Sequence, residues 1–141
     1  MTNKIVTIGI IGSRQRNSQN DYLLMVDKFE EVVTKISEKC PNMTFRIVSG
    51  GASAGGVRFA EEIAKGLGLS ITIHYPAKHT IEKGLSRKDS LRKYAETCFT
   101  RNTLIAQDSD YLIAMLDEKS NGTKDTIKKY ETLKNKKAII I

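Results

Sequence analysis

The alternation of strand-like and helix-like segments along the chain is the feature that most constrains its fold. Short β-branched runs that stop at glycine, serine or proline predict strands, and longer runs with apolar residues at helical spacing predict helices. Five predicted strands alternate with four predicted helices: 4–11, 21–39, 45–49, 54–67, 69–75, 89–107, 111–116, 122–133 and 138–141. This order predicts a parallel sheet with helices on both faces.

The expected architecture is a three-layer Rossmann-like α/β sandwich with a five-stranded parallel sheet of order 3-2-1-4-5. A length of 141 residues suits a single domain that spans 1–141. The chain is 40% hydrophobic and 28% charged, which supplies a core and argues against disorder. No apolar run approaches the roughly 18 residues of a membrane span, and the N-terminal segment lacks a signal-peptide pattern. We therefore expect a cytoplasmic protein without a membrane partner.

The cysteines and histidines predict neither a metal centre nor a nucleophilic triad. Cys40 and Cys98 have no CxxC spacing and no histidine cluster nearby, so we expect two buried thiols rather than a zinc site or a disulfide framework. No serine or cysteine lies in a nucleophile motif with His74 or His79. We expect both histidines in loops or on the surface, although His74 and Tyr75 follow a strand and could reach a pocket wall.

The charge balance allows two interpretations. The chain has 23 basic and 16 acidic side chains, a net charge of +7. This surplus fits either a solvated lysine-rich surface or an anionic partner, which would be a nucleic acid or a phosphorylated small molecule. Many of the cations lie at 78–93, which overlaps the long irregular segment 76–88. We interpret that segment as a cationic flap over a phosphorylated ligand, with an ordinary solvated loop as the alternative.

Small and hydroxyl residues follow three of the predicted strands. In sheets of this order, ligands bind outside the carboxyl ends of the strands, where the strand order reverses. The candidate ligand-binding residues at these three ends are Gly12, Ser13, Arg14; Ser49, Gly50, Gly51, Ala52, Ser53; and Asp117, Asn121, Gly122, Thr123. Two of these loops open helices, whose N-termini attract anions. Each loop alone also fits ordinary turn chemistry, but three loops at one edge favour a phosphate or ribose site.

Four glycines within seven positions, in the stretch IVSGGASAGG at 47–56, raise a specific question. Glycine loses more conformational entropy on folding than any other residue. The run therefore indicates either a tight turn or a ligand that approaches the bare backbone. Neither GxGxxG nor the Walker motif is present, so ordinary dinucleotide or P-loop binding is not supported.

The third predicted helix carries a polar residue on its apolar stripe. Leu91, Ala95, Cys98 and Ile105 share that stripe with Asn102. A buried amide needs partners, which would be nearby backbone groups or a ligand. Arg101 lies near the edge of the stripe, where it would either reach the ligand-binding edge or remain solvated.

Six segments in this order resemble the SLOG superfamily. They are IGSR at 11–14, VSGGA at 48–52, RFAEEIA at 58–64, RNTLIA at 101–106, SDYLIA at 109–114 and NGTKDTI at 121–127. The superfamily includes the LOG phosphoribohydrolases, the DNA-processing protein A and small stand-alone domains, and the resemblance spans nearly the whole chain. It implies ligand contacts at Gly12, Ser13, Arg14, Gly50, Gly51, Arg101, Asn102, Gly122 and Thr123.

Two positions depart from the family pattern. Many small members have an aspartate where this chain has Val57, and the preceding loop is one residue longer here. Thr126 occupies the place of the catalytic glutamate of the LOG enzymes, and Asp125, one helical position away, is expected to face elsewhere. The resemblance therefore implies a binder without a catalytic residue, metal or cofactor.

The expected function is to bind a nucleotide-derived, phosphorylated ligand as a sensor or a sequestering protein, with NAD-derived compounds and cyclic nucleotides among the candidate ligands. Related domains are implicated in bacterial immunity, and the relatives favour a dimer or larger homo-oligomer. The alternatives are a nucleotide N-glycosidase with rearranged residues and a single-stranded DNA binder. The last is disfavoured by an aromatic content of 6% without tryptophan, since base stacking needs aromatic side chains.

Overall fold

The computed structural model describes residues 4–50, 55–75 and 86–141. The strands in chain order are β1 (Ile5–Gly12), β2 (Thr44–Gly50), β3 (Ser70–His74), β4 (Tyr111–Met115) and β5 (Ile139–Ile140). The helices are α1 (Gln19–Lys39), α2 (Gly56–Leu67), α3 (Arg87–Asp108) and α4 (Asn121–Lys134). The five strands form one parallel sheet of order β3-β2-β1-β4-β5, which confirms the predicted Rossmann-like architecture.

The middle strand β1 is buried because helices cover both faces of the sheet. Ile8 is fully buried and lies level with Ile47 of β2 and Tyr111 of β4. The β-branched run of β1 therefore packs on both faces, as the continuous apolar pattern of a parallel strand requires. The carboxyl ends of β1, β2 and β4 consequently reach the same edge of the sheet.

Two apolar clusters separate the layers. On one face, α1 and α2 bury Met25, Phe29, Phe59 and Ile63 against β1, β2 and β4. On the other face, the cluster contributed by α3 and α4 contains Ile105, Ala106, Ile127 and Tyr130. Each large apolar side chain that leaves water contributes roughly 1.5–3 kcal/mol, so these clusters fix the helices on which candidate site residues lie.

The helices begin in different ways. The Ser18 side chain accepts a hydrogen bond from the backbone of Asp21, and the Asp21 carboxylate accepts one from Ser18, which caps α1 reciprocally. Ser86 caps α3 through the backbone N–H of Asp89. The residues that precede α2 and α4 make no such side-chain cap. In a parallel sheet every connecting helix starts on the side of the strand carboxyl ends, where ligands bind in this fold class, so α2 and α4 differ from α1 and α3 in lacking a side-chain cap.

Several predicted core positions are wrong. Leu67, at the end of α2, is 56% exposed, and Leu91, on α3, is 61% exposed. Cys40 is exposed and Cys98 is half-buried, and both are free thiols. The buried residues of α3 are Asn102, Ile105 and Ala106, which all lie toward its C-terminal end. Helical spacing predicted a stripe, but a stripe is buried only where another element lies beneath it. None of the helices in the described ranges is long and apolar enough to cross a membrane.

Candidate ligand-binding site

A cavity of about 360 Å³ opens at the carboxyl edge of the sheet, between the ends of β1 and β2 and the helices α3 and α4. Most of the predicted ligand-binding residues that the structure describes line it: Gly12, Arg14, Ser49, Gly50, Arg101, Asn102, Asn121, Gly122 and Thr123. Its size falls within the range of small-molecule sites. The structure therefore brings together four chain segments that are separate in the sequence.

The described lining of the cavity is cationic. Arg14, Arg101 and Lys119 line it, and none of the described lining residues is acidic. Within 4–50, 55–75 and 86–141, no carboxylate forms an ion pair with any of these three cations. The first residues of α4 add backbone N–H groups, which carry the positive end of the helix dipole. Such a lining favours anionic groups, carboxylate and phosphate alike.

Ser13 and Asp117, both predicted to contact ligand, instead bind each other beside the cavity. The Ser13 hydroxyl donates to the Asp117 carboxylate at 2.7 Å. The same carboxylate accepts hydrogen bonds from the Ser120 hydroxyl and the Lys119 backbone. These bonds, with that from Ser13 the strongest, hold the pKa of Asp117 below its usual value. The pair connects the loop after β1 to the loop after β4, and neither residue is among those that line the cavity.

Two glycines of the predicted ligand loop serve close packing of the backbone. A Cβ on Gly56 would lie inside contact distance of the Gly12 nitrogen and the Ile11 carbonyl carbon. Gly55 has φ +73°, and a Cβ there would run into the Ser13 carbonyl. The N-terminus of α2 therefore rests directly on the end of β1. Close packing of the backbone therefore explains these two glycines, and it is neither of the two explanations considered from the sequence, a tight turn or a bound ligand.

Gly50 and Ser49 also have structural contacts at the cavity wall. A Cβ on Gly50 would lie 2.9 Å from the Ile105 side chain and 3.0 Å from the Arg101 guanidinium, so this glycine leaves room for Arg101. The buried Ser49 hydroxyl donates to the Ile10 carbonyl oxygen. Its one proton is thereby directed at β1, and only its oxygen lone pairs are left for a ligand.

Asn102, the buried polar residue of α3, uses its amide to bind protein groups. Its Oδ1 accepts a hydrogen bond from Arg101 Nε at 2.9 Å, and its Nδ2 donates to Asp125 Oδ2 at 3.1 Å and to the Gly122 carbonyl at 3.4 Å. Arg101 itself reaches the cavity. Asn102 therefore bonds nearby protein groups, and Arg101 reaches the ligand-binding edge.

Val57 and Thr126, where the sequence differs from the pattern that it resembles, both line the cavity. Val57 is 4% exposed and presents an apolar side chain where many small members have an aspartate. Thr126 is buried, and its hydroxyl donates to the Gly122 carbonyl of its own helix. Neither side chain carries charge. The wall near α2 and α4 therefore has no carboxylate at either position.

Several predicted features lie outside the described residues. They are Gly51, Ala52 and Ser53 of the ligand loop, His79, and the part of the predicted flap at 76–85. Of the remaining candidates, His74 lies 2.7 Å from the Asp108 carboxylate, and Tyr75 is 67% exposed. Neither is among the residues that line the cavity.

Sequence reasoning missed three polar residues of the cavity, Gln15, Lys119 and Ser120. All three lie within loops whose neighbours were predicted, immediately after Arg14 and between Asp117 and Asn121. Extending each predicted loop by its polar residues would have found them. In the described part of the chain, no group of three or more histidine, cysteine, aspartate or glutamate side chains is arranged to hold a metal ion.

Comparisons with protein-family models, with curated proteins and with solved structures find no match to this chain. What the cavity binds must therefore be inferred from the residues that line it.

Proposed function

We propose that this protein is a SLOG-type domain that binds a nucleotide-derived, phosphorylated ligand in the cavity at the carboxyl edge of the sheet. The observation that supports this most is the charge of the cavity. Arg14, Arg101 and Lys119 line it together with the N-terminus of α4, and no described lining residue is acidic. Arginine pairs with phosphate oxygens through two parallel hydrogen bonds, and the free N–H groups of α4 suit a second anionic group.

The proposed role is binding without turnover, as a sensor or a sequestering protein for a nucleotide signal in bacterial immunity. Cleavage of an N-glycosidic bond needs a positioned acid, base or nucleophile. Thr126 offers a hydroxyl that already bonds its own helix, and a neutral hydroxyl stabilises a developing positive charge poorly. The nearby carboxylates of Asp117 and Asp125 bind protein partners. A cytoplasmic location, where nucleotides are made, and assembly into a dimer or larger homo-oligomer complete the proposal.

The experiment that tests this function is a ligand screen that preserves the chemistry of what is bound. The protein is incubated with nucleotides, cyclic nucleotides and ADP-ribose derivatives, passed through a desalting column, denatured and analysed by mass spectrometry. Intact ligand at near one equivalent per chain is expected, and Arg14→Ala serves as the matched control with reduced retention.

Two results would overturn the proposal. Release of free base and ribose phosphate over many cycles would make the protein an N-glycosidase. Retention of single-stranded DNA instead of any nucleotide, with an affinity that falls steeply as salt rises, would make it a nucleic-acid binder.

A further inference from the structure

A chain of hydrogen bonds runs from the surface of α4 to the cavity. Lys129 Nζ donates to Asp125 Oδ2 at 2.8 Å, and Asn102 Nδ2 donates to the same oxygen at 3.1 Å. Asn102 Oδ1 then accepts from Arg101 Nε at 2.9 Å. Asp125 and Lys129 are not among the residues that line the cavity, whereas Arg101 and Asn102 are. The bonded series therefore connects two residues outside the cavity to one of its three cations.

The carboxylate of Asp125 is the nearer of two acceptors that set which way the Asn102 amide faces, at 3.1 Å against 3.4 Å for the Gly122 carbonyl. An ionised carboxylate only accepts hydrogen bonds, and so does the Gly122 carbonyl, the second partner of Nδ2. Both acceptors require the NH₂ group of Asn102 to point toward α4. The Asn102 oxygen must then point the other way, where it meets Arg101 Nε. Because Asn102 is only 4% exposed, water has little access to replace these partners.

The orientation of Asn102 in turn leaves the right part of Arg101 for a ligand. The bond to Asn102 occupies Nε–H, one of the five N–H donors of the guanidinium. The two Nη groups make no hydrogen bond that the described residues account for, and Nη1 approaches the Gly50 backbone at the cavity wall. A guanidinium held at Nε presents a fixed pair of donors, so less side-chain entropy is lost when it binds an anion.

Lys129 fixes the other end of the series. Besides Asp125, its ammonium group donates to the Phe99 carbonyl at 2.7 Å and lies 5.3 Å from the centre of the Phe99 ring. It thereby joins α4 to α3 at a residue two positions before Arg101 and neutralises the Asp125 carboxylate. These contacts hold Asp125 in the position from which it orients Asn102.

We propose that Asp125 is a positioning residue that orients Arg101 toward the bound anion through Asn102, with Lys129 holding Asp125 in place. This inference rests on the proposed function, since it assigns a purpose to Arg101 in anion binding. It places control of affinity on two residues that the ligand itself does not touch.

The first test measures binding of ADP-ribose by calorimetry in a double-mutant cycle. Asp125→Ala is expected to weaken binding about tenfold, Asp125→Asn, which keeps an acceptor, about threefold or less, and Glu131→Ala not at all. Glu131 is the matched control because it is an acidic residue of α4 whose carboxylate accepts from the Ala138 backbone. In an Arg101→Ala background, Asp125→Ala should have less than a twofold further effect, since coupled residues are not additive. Equal losses in both backgrounds would overturn the positioning role.

The second test needs no ligand, so it separates this inference from the proposed function. The Nε–H resonance of Arg101 is followed by ¹⁵N NMR in the unliganded protein. Slow exchange with water is expected in the unaltered chain and in Glu131→Ala, and at least tenfold faster exchange in Asp125→Ala. If exchange does not change in Asp125→Ala, the inference is wrong whatever the protein binds. If ADP-ribose fails to bind but exchange changes as expected, the positioning geometry stands and the choice of ligand is at fault.

Discussion

The loops that lead into α2 and α4 both bring a helix N-terminus to the carboxyl edge of the sheet, but they use their backbones differently. Before α2, Gly55 and Gly56 press against the end of β1 and leave no space for a side chain. At the second residue of α4, Gly122, a Cβ would meet nothing within 4 Å. Gly55 and Gly56 therefore serve backbone packing, whereas Gly122 leaves open space at the cavity.

The two loops also differ in how their free N–H groups are satisfied. The Gly55 N–H donates to the Asn17 side chain at 2.9 Å, and the same oxygen accepts from Arg58. Asn17 thus supplies a cap from a distant segment. The loop before α4 is held by Asp117 and Ser120, which bind each other, while the N-terminal residues of α4 face the cavity. The Gly55 N–H at the start of α2 therefore has a protein partner, whereas the first residues of α4 line the cavity.

The largest effect should come from filling the space at Gly56. Gly56→Val places a branched side chain against the backbone of Ile11 and Gly12, which cannot move without distorting β1. We expect a loss of about 3 kcal/mol or more, seen as a fall of roughly 10 °C in the unfolding midpoint. Gly122→Ala is the control and should leave the midpoint unchanged or slightly raised. A Gly56→Val protein as stable as the unaltered chain would show that α2 does not depend on close packing of Gly56 against β1.

A smaller loss of stability is expected from removing the side chain that hydrogen-bonds the backbone of each loop, Asn17 or Ser120. Asn17→Ala should cost about 1 kcal/mol, as loss of a helix cap does, without changing the affinity for a nucleotide. Ser120→Ala should cost a similar amount, because it removes the bonds to Asp117, and should also weaken binding, because Ser120 lines the cavity. Denaturant unfolding and calorimetry of both variants check this. Equal effects of the two variants on affinity would contradict the distinction between the loops.

The smallest expected effect is a loss of stability at acidic pH. Asp117 has its pKa below the usual value of 3.8, chiefly because Ser13 donates a hydrogen bond to it. A lowered pKa in the folded state means that the stabilisation is fully present above the unfolded-state pKa and is lost as the pH falls through the folded value. The loss should therefore occur below about pH 4. Carboxyl ¹³C NMR should show the pKa of Asp117 rising in Ser13→Ala and staying put in Asn17→Ala. A pKa that does not rise in Ser13→Ala would remove the link between the loops after β1 and β4.

The sheet order was predictable because nine alternating segments allow few parallel arrangements, and the structure confirms it. The close packing of Gly56 against Gly12 was not predictable, because nothing local in the sequence indicates that these two residues meet. The exposure of Leu67, Leu91 and Cys40 escaped prediction for the same reason. Spacing predicts which residues share a face, but only the tertiary structure decides whether that face is covered.

The cavity was partly predictable. The rule that ligands lie at the strand ends selected segments that do line one cavity, such as those of Arg14 and Asn121. The rule does not say which polar side chains at that edge bind each other. Ser13 and Asp117 bind each other. Lys119, which was not predicted to contact the ligand, lines the cavity. That the candidate residues bind ligand remains a prediction.

We propose that a nucleotide-derived anion binds at the cavity beside α4, and three variants that each remove one positive charge test this site. Lys119 lines the cavity, whereas Arg58 lies in the first turn of α2 and binds Asn17 and Glu62. Calorimetry of the nucleotide recovered in the screen should show Lys119→Ala and Arg14→Ala binding roughly 10- to 100-fold more weakly, the range for a lost hydrogen bond to a charged group. Arg58→Ala, with the same loss of charge, should bind within twofold of the unaltered protein. Equal weakening in all three variants, or in none, would contradict the account.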